Sequence, residues 1–145
     1  MEKRIINDMT EKNWALLNGL ALAYVGDAIY EIYIRDYLVG LGYTKPSQLH
    51  KMATHFVSAK GQSFLMHEML AVEGFLTEEE VTMYKRGRNS KSYTSAKNAD
   101  ITTYRVATGF ESLMGYLHLA KQTERMEELI HWCIKKVEDT KDDKR

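Results

Sequence analysis

The scarcity of proline limits the fold most strongly, because the 145-residue chain contains only one, Pro46. Proline disrupts helix interiors, so a chain with a single proline and few clusters of turn residues has little to interrupt long helices. No segment shows the sustained alternation of apolar and polar residues that indicates a β-strand. The sequence therefore predicts an all-α protein.

The length fits one domain, which can bury a core without disulfides or a structural metal. We expect a single domain over residues 1–145, with its core over about 16–137 and a frayed, charged end over 139–145. The lone Cys133 is expected to be a small buried residue in a reducing compartment. The most apolar stretch, Trp14 to Ile34, is too polar to span a membrane, so we expect a cytoplasmic protein without membrane contact.

Apolar spacing and capping residues predict the first helices. A long helix is expected from Leu16 to Leu41, apolar along one face except at Asp27. Pro46 suits the first turn of the next helix, and Gly61 and Gly74 bracket a further apolar helical segment.

Capping patterns also predict the later helices. Thr77 and Glu80 match a capping box, which indicates a short helix from there to near Gly87. The polar segment from Arg88 to Ser95 is helix-poor and is expected to be an exposed loop. The remaining helix starts and ends are predicted at Asn98 or Asp100, at Thr123 and at Val137.

The distribution of charge says more about a partner than the net charge, which is zero. Residues 68–80 contain five acids and no Lys or Arg, whereas residues 83–105 contain six bases and one acid. Basic and amide side chains suit the phosphates and 2′-hydroxyls of RNA, although a solvated charged face is the alternative interpretation. The residues predicted to contact RNA are Lys85, Arg86, Arg88, Asn89, Lys91 and Lys97.

Two acids stand in otherwise apolar helical segments: Asp27 follows Gly26, and Glu111 lies between Gly109 and Gly115. A buried carboxylate is unfavourable unless it is paired or binds a metal. If the two helices cross at Gly26 and at Gly109 or Gly115, the carboxylates can meet and hold Mg²⁺, with Mn²⁺ as a substitute. A buried hydrogen bond or an ion pair is the alternative explanation for each acid.

Glu31 also has two interpretations. It lies four residues after Asp27, where it can support a metal site from beside the ligands, and four before Arg35, where a helical ion pair is the ordinary outcome. The five histidines form no His-Asp dipeptide and no His-Glu-x-x-His motif. A histidine-based metal hydrolase is therefore not expected.

Two segments resemble a known family. Residues 22–31, Leu-Ala-Tyr-Val-Gly-Asp-Ala-Ile-Tyr-Glu, resemble the ribonuclease III signature, commonly written L-E-F-L-G-D-A-V-L-E, and residues 110–115 are similar to the family's second acidic helix. The resemblance covers about 16–137, and we expect no double-stranded RNA-binding domain. The chain is thus similar to the Mini-ribonuclease III group, whose members trim double-stranded stems of the large-subunit ribosomal RNA precursor.

The resemblance implies an endoribonuclease that cuts double-stranded RNA, with Asp27 and Glu111 as catalytic Mg²⁺ ligands for water attack on a phosphodiester. It also implies a ribonuclease III-like helical domain in a two-fold homodimer, with a large-subunit ribosomal protein as a candidate further partner. Two family acids are absent, since Ala23 and Thr108 occupy their positions. Fewer fixed ligands predict weaker Mg²⁺ binding rather than loss of the site.

Two rival functions remain open. One is a non-catalytic RNA-binding or ribosome-associated module that kept the fold, which the retention of both Asp27 and Glu111 disfavours. The other is a purely structural helical dimer, in which Asn and Gln would replace these acids with little loss beyond stability.

Overall fold

Six α-helices enclose a shared hydrophobic core within residues 14–90 and 100–143, the part of the chain that the computed structural model describes. A 3₁₀ turn, Trp14–Leu16, precedes them. The helices are α1 (Gly19–Gly40), α2 (Pro46–Val57), α3 (Ala59–Ala71), α4 (Glu78–Arg88), α5 (Ile101–Leu119) and α6 (Thr123–Asp143). These residues include no strand, so the predicted all-α class is confirmed, and none of the six helices is long and apolar enough to cross a membrane.

Side-chain caps fix several helix starts. Asn18 Oδ1 accepts a hydrogen bond from Ala21 N at 2.8 Å at the start of α1, and the Ser58 hydroxyl caps α3 in the same way. The predicted capping box of α4 is present. The Thr77 hydroxyl accepts from Glu80 N at 3.0 Å, and the Glu80 carboxylate accepts from Thr77 N at 2.9 Å.

The other predicted helix starts are confirmed in part. Pro46 occupies the first turn of α2, and Thr123 begins α6, both as expected. Asp100 stands at the N-cap position of α5 but makes no side-chain capping bond, while Asn98 lies outside the described residues. Helix α5 therefore begins without the predicted cap bond from Asp100.

Helix α5 lies at the centre of the fold. From Val106 to Leu117 every residue is buried except Thr108 and Glu111, because α1, α3, α4 and α6 all contact this helix. Phe110 meets Tyr30 of α1 edge to face, with ring centres 4.9 Å apart. Glu111 is therefore held on the most enclosed helix of the protein.

The ends of α1 differ from the prediction. The helix begins at Gly19, and three residues expected on its core face, Leu16, Leu20 and Leu41, are 82%, 41% and 53% exposed. Leu16 and Leu41 lie beyond the ends of α1, so the helix does not orient their side chains. Because a straight helix has 3.6 residues per turn, a face extrapolated over many turns also drifts around the axis. The residues that α1 buries are Gly19, Leu22, Ala23, Gly26, Tyr30, Ile34 and Leu38.

Helix α6 extends past its predicted end at Val137 and reaches Asp143. The expectation of a frayed end over 139–145 stays a prediction. The Thr140 hydroxyl donates to a backbone carbonyl one turn earlier at 2.9 Å, and the Tyr37 hydroxyl of α1 donates to Glu138. The Glu138 contact therefore joins the extended end of α6 to α1.

The lone cysteine behaves as expected from the sequence. Cys133 is fully buried in α6. Burial raises the pKa of its thiol well above the usual range, so the reactive thiolate form is disfavoured.

Candidate active site

Two glycines determine how closely α1 and α5 cross. A Cβ at Gly26 would lie 1.7 Å from the Glu111 carbonyl oxygen, and one at Gly115 would lie 1.9 Å from the Leu22 carbonyl oxygen. Neither position can accept a side chain unless a backbone moves. The predicted crossing at Gly26 is confirmed with Gly115 as its partner, whereas Gly109, the other candidate, faces α4.

This crossing brings the carboxyl groups of Asp27 and Glu111 together. Burial and then the neighbouring charge of Asp27 raise the pKa of Glu111 to about 8. The Asp27 carboxyl is also close enough to act as a hydrogen-bond partner of Glu111. Two carboxyl groups this close favour either a shared proton or a bound cation.

The burial of Asp27 and Glu111 differs from the prediction, in which both carboxyl groups were buried. Glu111 is half-buried, but Asp27 is exposed. Successive helix residues point about 100° apart, so the residue after Gly26 turns from the crossing towards its rim. The pair therefore has one member anchored in the protein and one open to solvent.

Glu31 forms the ion pair that its spacing suggests. Its carboxylate accepts a hydrogen bond from Arg35 Nε at 2.9 Å and a second from Arg35 Nη2. The charge of Glu31 also contributes to the raised pKa of Glu111. The ion pair is therefore formed, while support of a metal site by Glu31 stays a prediction.

Gln62 of α3 is a polar neighbour of the Asp27–Glu111 pair. It was not among the residues predicted from the sequence. It is 1% exposed, and its Nε2 forms no hydrogen bond to any residue in the described ranges. The amide nevertheless lies close enough to Glu111 to favour the ionised carboxylate. The sequence contains a pattern that indicates the burial of Gln62. It shares one helix face, by its spacing, with Leu65, Met66 and Met69, which are all fully buried.

The positions of the two missing family acids offer no ligand. Ala23 is buried, and the Thr108 hydroxyl donates to the Tyr104 carbonyl of its own helix at 3.0 Å. Across residues 14–90 and 100–141, no group of three or more His, Cys, Asp or Glu side chains is arranged to hold a metal. Asp27 and Glu111 thus form a pair of acids rather than part of a larger cluster.

Arg86, predicted to contact RNA, already has protein partners. Its guanidinium Nη1 donates to the Ala15 carbonyl at 2.7 Å and to the Leu17 carbonyl at 3.1 Å. These bonds tie α4 to the turn before α1. The structure therefore gives Arg86 a structural role that its position in a basic segment of the sequence did not indicate.

The other basic residues lie on or beyond the end of α4. Lys85 is exposed, and Arg88 is the last residue of α4 rather than part of a loop. The Arg88 guanidinium lies 5.5 Å from the centre of the Tyr84 ring, and its Nε donates to Asn89 Oδ1 at 3.1 Å. Contact between this segment and RNA stays a prediction. Two residues of the predicted set, Lys91 and Lys97, lie outside the described residues.

An exposed apolar stripe runs along α1 beside Asp27. Tyr24, Ala28 and Ile32 recur every four residues, and Tyr24 is 83% exposed. Together with His118 of α5 they border a cleft of about 510 Å³ that also includes Asp27. Contiguous exposed apolar side chains are typical of an interaction surface.

Known proteins resemble this chain over most of its length. Residues 20–122 match the Ribonuclease III domain family. The Mini-ribonuclease 3 of Enterococcus faecalis is 75% identical over 129 residues, which cover 89% of this chain and 97% of the relative. The Mini-ribonuclease 3 of Streptococcus pneumoniae is 57% identical over 123 residues, which cover 85% of this chain and 95% of the relative. A crystal structure of a Fusobacterium nucleatum protein matches with a TM-score of 0.71 and 32% identity, covering 85% of this chain and 96% of that one.

Proposed function

Because the chain belongs to the ribonuclease III family, in its Mini-ribonuclease 3 group, and is an endoribonuclease, we propose that it cleaves double-stranded RNA with Mg²⁺. The meeting of Asp27 and Glu111 at the crossing of α1 and α5 carries this proposal. The proposed substrate is the precursor of large-subunit (23S) ribosomal RNA, whose double-stranded ends the enzyme matures in the cytoplasm. Its resemblance to the Mini-ribonuclease III group supports that choice.

The two carboxylates suit a divalent cation. Mg²⁺ prefers oxygen ligands and is often held by one or two carboxylates, with water and substrate phosphates in its other positions. The raised pKa of Glu111 reflects burial and excess negative charge, which a cation would relieve. When bound, Mg²⁺ supplies Lewis-acid chemistry, activating water and stabilising negative charge on a phosphodiester.

The two acids have different parts in this mechanism. Glu111 is half-buried on the central helix and fixes one carboxylate relative to the protein. Asp27 is exposed, so its carboxylate lies on the side from which an RNA backbone can approach. Since Ala23 and Thr108 provide no ligand, more of the cation's positions are left to water and phosphate, and weak Mg²⁺ affinity follows.

We further propose a two-fold homodimer that pairs through the stripe of Tyr24, Ala28 and Ile32. The exposure of these apolar side chains supports the pairing, since burial between two copies would remove them from water. Asp27 borders the same cleft, so pairing here would bring two sites close to one RNA duplex. Two sites on one duplex suit cleavage of both strands.

RNA contacts are proposed for the basic residues at and after the end of α4. Lys85 and Arg88 provide positive charge, Asn89 provides an amide, and Lys91 and Lys97 extend the segment. Zero net charge predicts weak binding to bare duplex. A large-subunit ribosomal protein that presents the RNA is therefore proposed as an additional partner.

The test is cleavage of labelled duplex RNA containing the precursor stem, with Mg²⁺ or with a chelator. Wild type should cleave only with Mg²⁺, and Asp27→Asn should lose activity by about 100-fold or more, because a fixed ligand's charge is removed. Asp36→Asn changes another exposed acid of α1 outside the site and should keep full activity.

Two outcomes would contradict the proposal. Bound but uncleaved RNA under every metal condition would favour the non-catalytic RNA-binding module. Equal cleavage by wild type and Asp27→Asn would remove Asp27 from the site.

A further inference from the structure

We propose that Gln62 is a positioning residue of the candidate metal site, whose buried amide holds the Glu111 carboxylate in the orientation that binds the cation. The inference rests on the proposed function, because it assigns a role within that site. It concerns a neutral residue on α3, a helix that contributes neither of the two acids.

The first observation is an amide group buried without a partner. Gln62 is 1% exposed, and its Nε2 is the one buried side-chain nitrogen or oxygen in the described residues that lacks a hydrogen bond. Buried polar groups nearly always have partners, and an exception requires an explanation, such as a functional role. An amide nitrogen held out of water in this way retains the capacity to donate two hydrogen bonds.

The second observation is where the amide lies. On the buried face of α3 the side chains of its neighbours Leu65, Met66 and Met69 are fully buried and offer no strong hydrogen-bond acceptor. Helix α3 packs against α5, and the Glu111 carboxyl of α5 lies close to the Gln62 side chain. The buried amide therefore faces a carboxyl group from the neighbouring helix.

The chemistry of an amide suits this place. A carboxylate can accept several hydrogen bonds, so Glu111 can accept from Gln62 on one side and keep lone pairs for a cation. A neutral donor achieves this without adding a third negative charge to the metal-free protein. Partners behind a metal ligand fix its orientation, and their loss typically weakens metal affinity by about 10-fold to 100-fold.

The test is Mn²⁺ binding, followed by the loss of the free-ion electron paramagnetic resonance signal, with Gln62→Met as the main variant. Methionine keeps the length and burial but removes the amide, so Mn²⁺ affinity should fall about 10-fold or more. The Mg²⁺ concentration for half-maximal cleavage should rise in parallel. The cleavage rate at saturating Mg²⁺ should change much less, because the ligands themselves remain.

Gln122→Met is the matched control, since Gln122 Nε2 donates to the Tyr116 hydroxyl at 2.9 Å, outside the acid pair. It should leave Mn²⁺ affinity at the wild-type value even where it lowers stability. If Gln62→Met does not fold, Gln62→Asn provides the same comparison, because the shorter side chain withdraws the amide from Glu111 and should also weaken Mn²⁺ binding.

Unchanged Mn²⁺ affinity in the folded Gln62 variant, alongside a loss in Asp27→Asn, would overturn the role of Gln62 and leave the metal site intact. If wild type and Asp27→Asn bind Mn²⁺ equally, the metal site itself fails and the role of Gln62 fails with it. A loss in Gln62→Met that Gln122→Met shares equally would show a general effect of stability and would also overturn the inference.

Discussion

The carboxyl of Glu111 shows how far the chemistry of one residue depends on its surroundings. In sequence it is one acid in a run of small and apolar residues. In the folded protein, burial and the charge of Asp27 raise its pKa, while Gln62 lowers it. The balance leaves an acid that exchanges its proton near neutral pH, where a cation can compete for the same oxygens.

The raised pKa predicts how the stability of the metal-free protein depends on pH. The folded-state pKa of Glu111 is about 8 against an ordinary value of 4.5, so the folded protein holds a proton that the unfolded chain releases. The corresponding stability is fully present below pH 4.5 and is lost as the pH rises through about 8. Thermal unfolding in chelator should show this decline.

Glu111→Gln should remove that pH dependence and raise the unfolding free energy at pH 9 by about 2 kcal/mol or more, given roughly 1.4 kcal/mol per pKa unit. Glu73→Gln, at an exposed acid outside the pair, should keep the wild-type profile. A profile that stays unchanged in Glu111→Gln would show that this carboxyl is not the group responsible.

At the scale of elements, the crossing of α1 and α5 decides whether the two acids meet. The main chains approach so closely that the backbone atoms of Glu111 and Leu22 occupy the space of a side chain at Gly26 and Gly115. Two backbones can approach this closely only where the residues at the crossing lack bulky side chains. The position of the candidate active site is therefore linked to two residues without side chains.

Gly26→Ala should destabilise the protein by about 3 kcal/mol or more, because its Cβ would collide with backbone rather than with a flexible side chain. Gly40→Ala is the matched control in the same helix, since no atom lies within 4 Å of the added Cβ. It should be neutral or stabilising by up to about 1 kcal/mol. Urea unfolding of both variants makes the comparison, and equal stability would contradict the tight crossing.

At the scale of the whole molecule, α6 is attached through polar contacts that link distant parts of the chain. Arg125 Nε donates to Glu80 Oε2 at 2.8 Å, and Arg125 also donates to the Phe75 carbonyl. Burial raises the pKa of Glu80, but the hydrogen bonds from Arg125 and Thr77 outweigh it and lower the pKa overall. Glu80 thus serves both as the cap of α4 and as the anchor of α6.

Arg125→Ala should lower the unfolding free energy by about 2–4 kcal/mol, because it leaves the Glu80 carboxylate, 2% exposed, without its cationic partner. Lys135→Ala removes an exposed ion pair with Asp139 in the same helix and should change stability by about 1 kcal/mol or less. Denaturant unfolding distinguishes the two, and a similar small loss in both variants would contradict the anchoring role.

Assembly is tested with Tyr24→Asp, which places a charge in the centre of the exposed stripe. Light scattering should show a shift from dimer to monomer, with cleavage falling in parallel, because an unpaired charge is unfavourable in an apolar interface. Val72→Asp is the control, because it introduces a charge at another exposed apolar residue. Val72 is 44% exposed and lies at the end of α3, so this variant should leave assembly unchanged. A Tyr24→Asp protein that remains dimeric would exclude this stripe as the interface.

Local features of the sequence determined much of what the structure contains. The lone Pro46 and the capping box of Thr77 and Glu80 predicted helix starts correctly, because these residues act on the backbone within one turn. The isolated acids Asp27 and Glu111, each near a glycine, indicated which helices must cross. Such signals can be recognised in the sequence because the groups that produce them are neighbours in the chain.

The tertiary structure decided what depends on residues far apart in the chain. In the folded protein Asp27 lies at the exposed rim of the crossing between α1 and α5, and Gln62 lies close to Glu111. Arg86 donates a hydrogen bond to the backbone of the turn before α1. The physical reason is that burial and pKa depend on which helix packs where, and apolar spacing does not distinguish a core face from an exposed stripe such as the one at Tyr24. The sequence alone therefore determined which segments are helical and which two acids stand out, and packing decided where the helices end and what surrounds the acids.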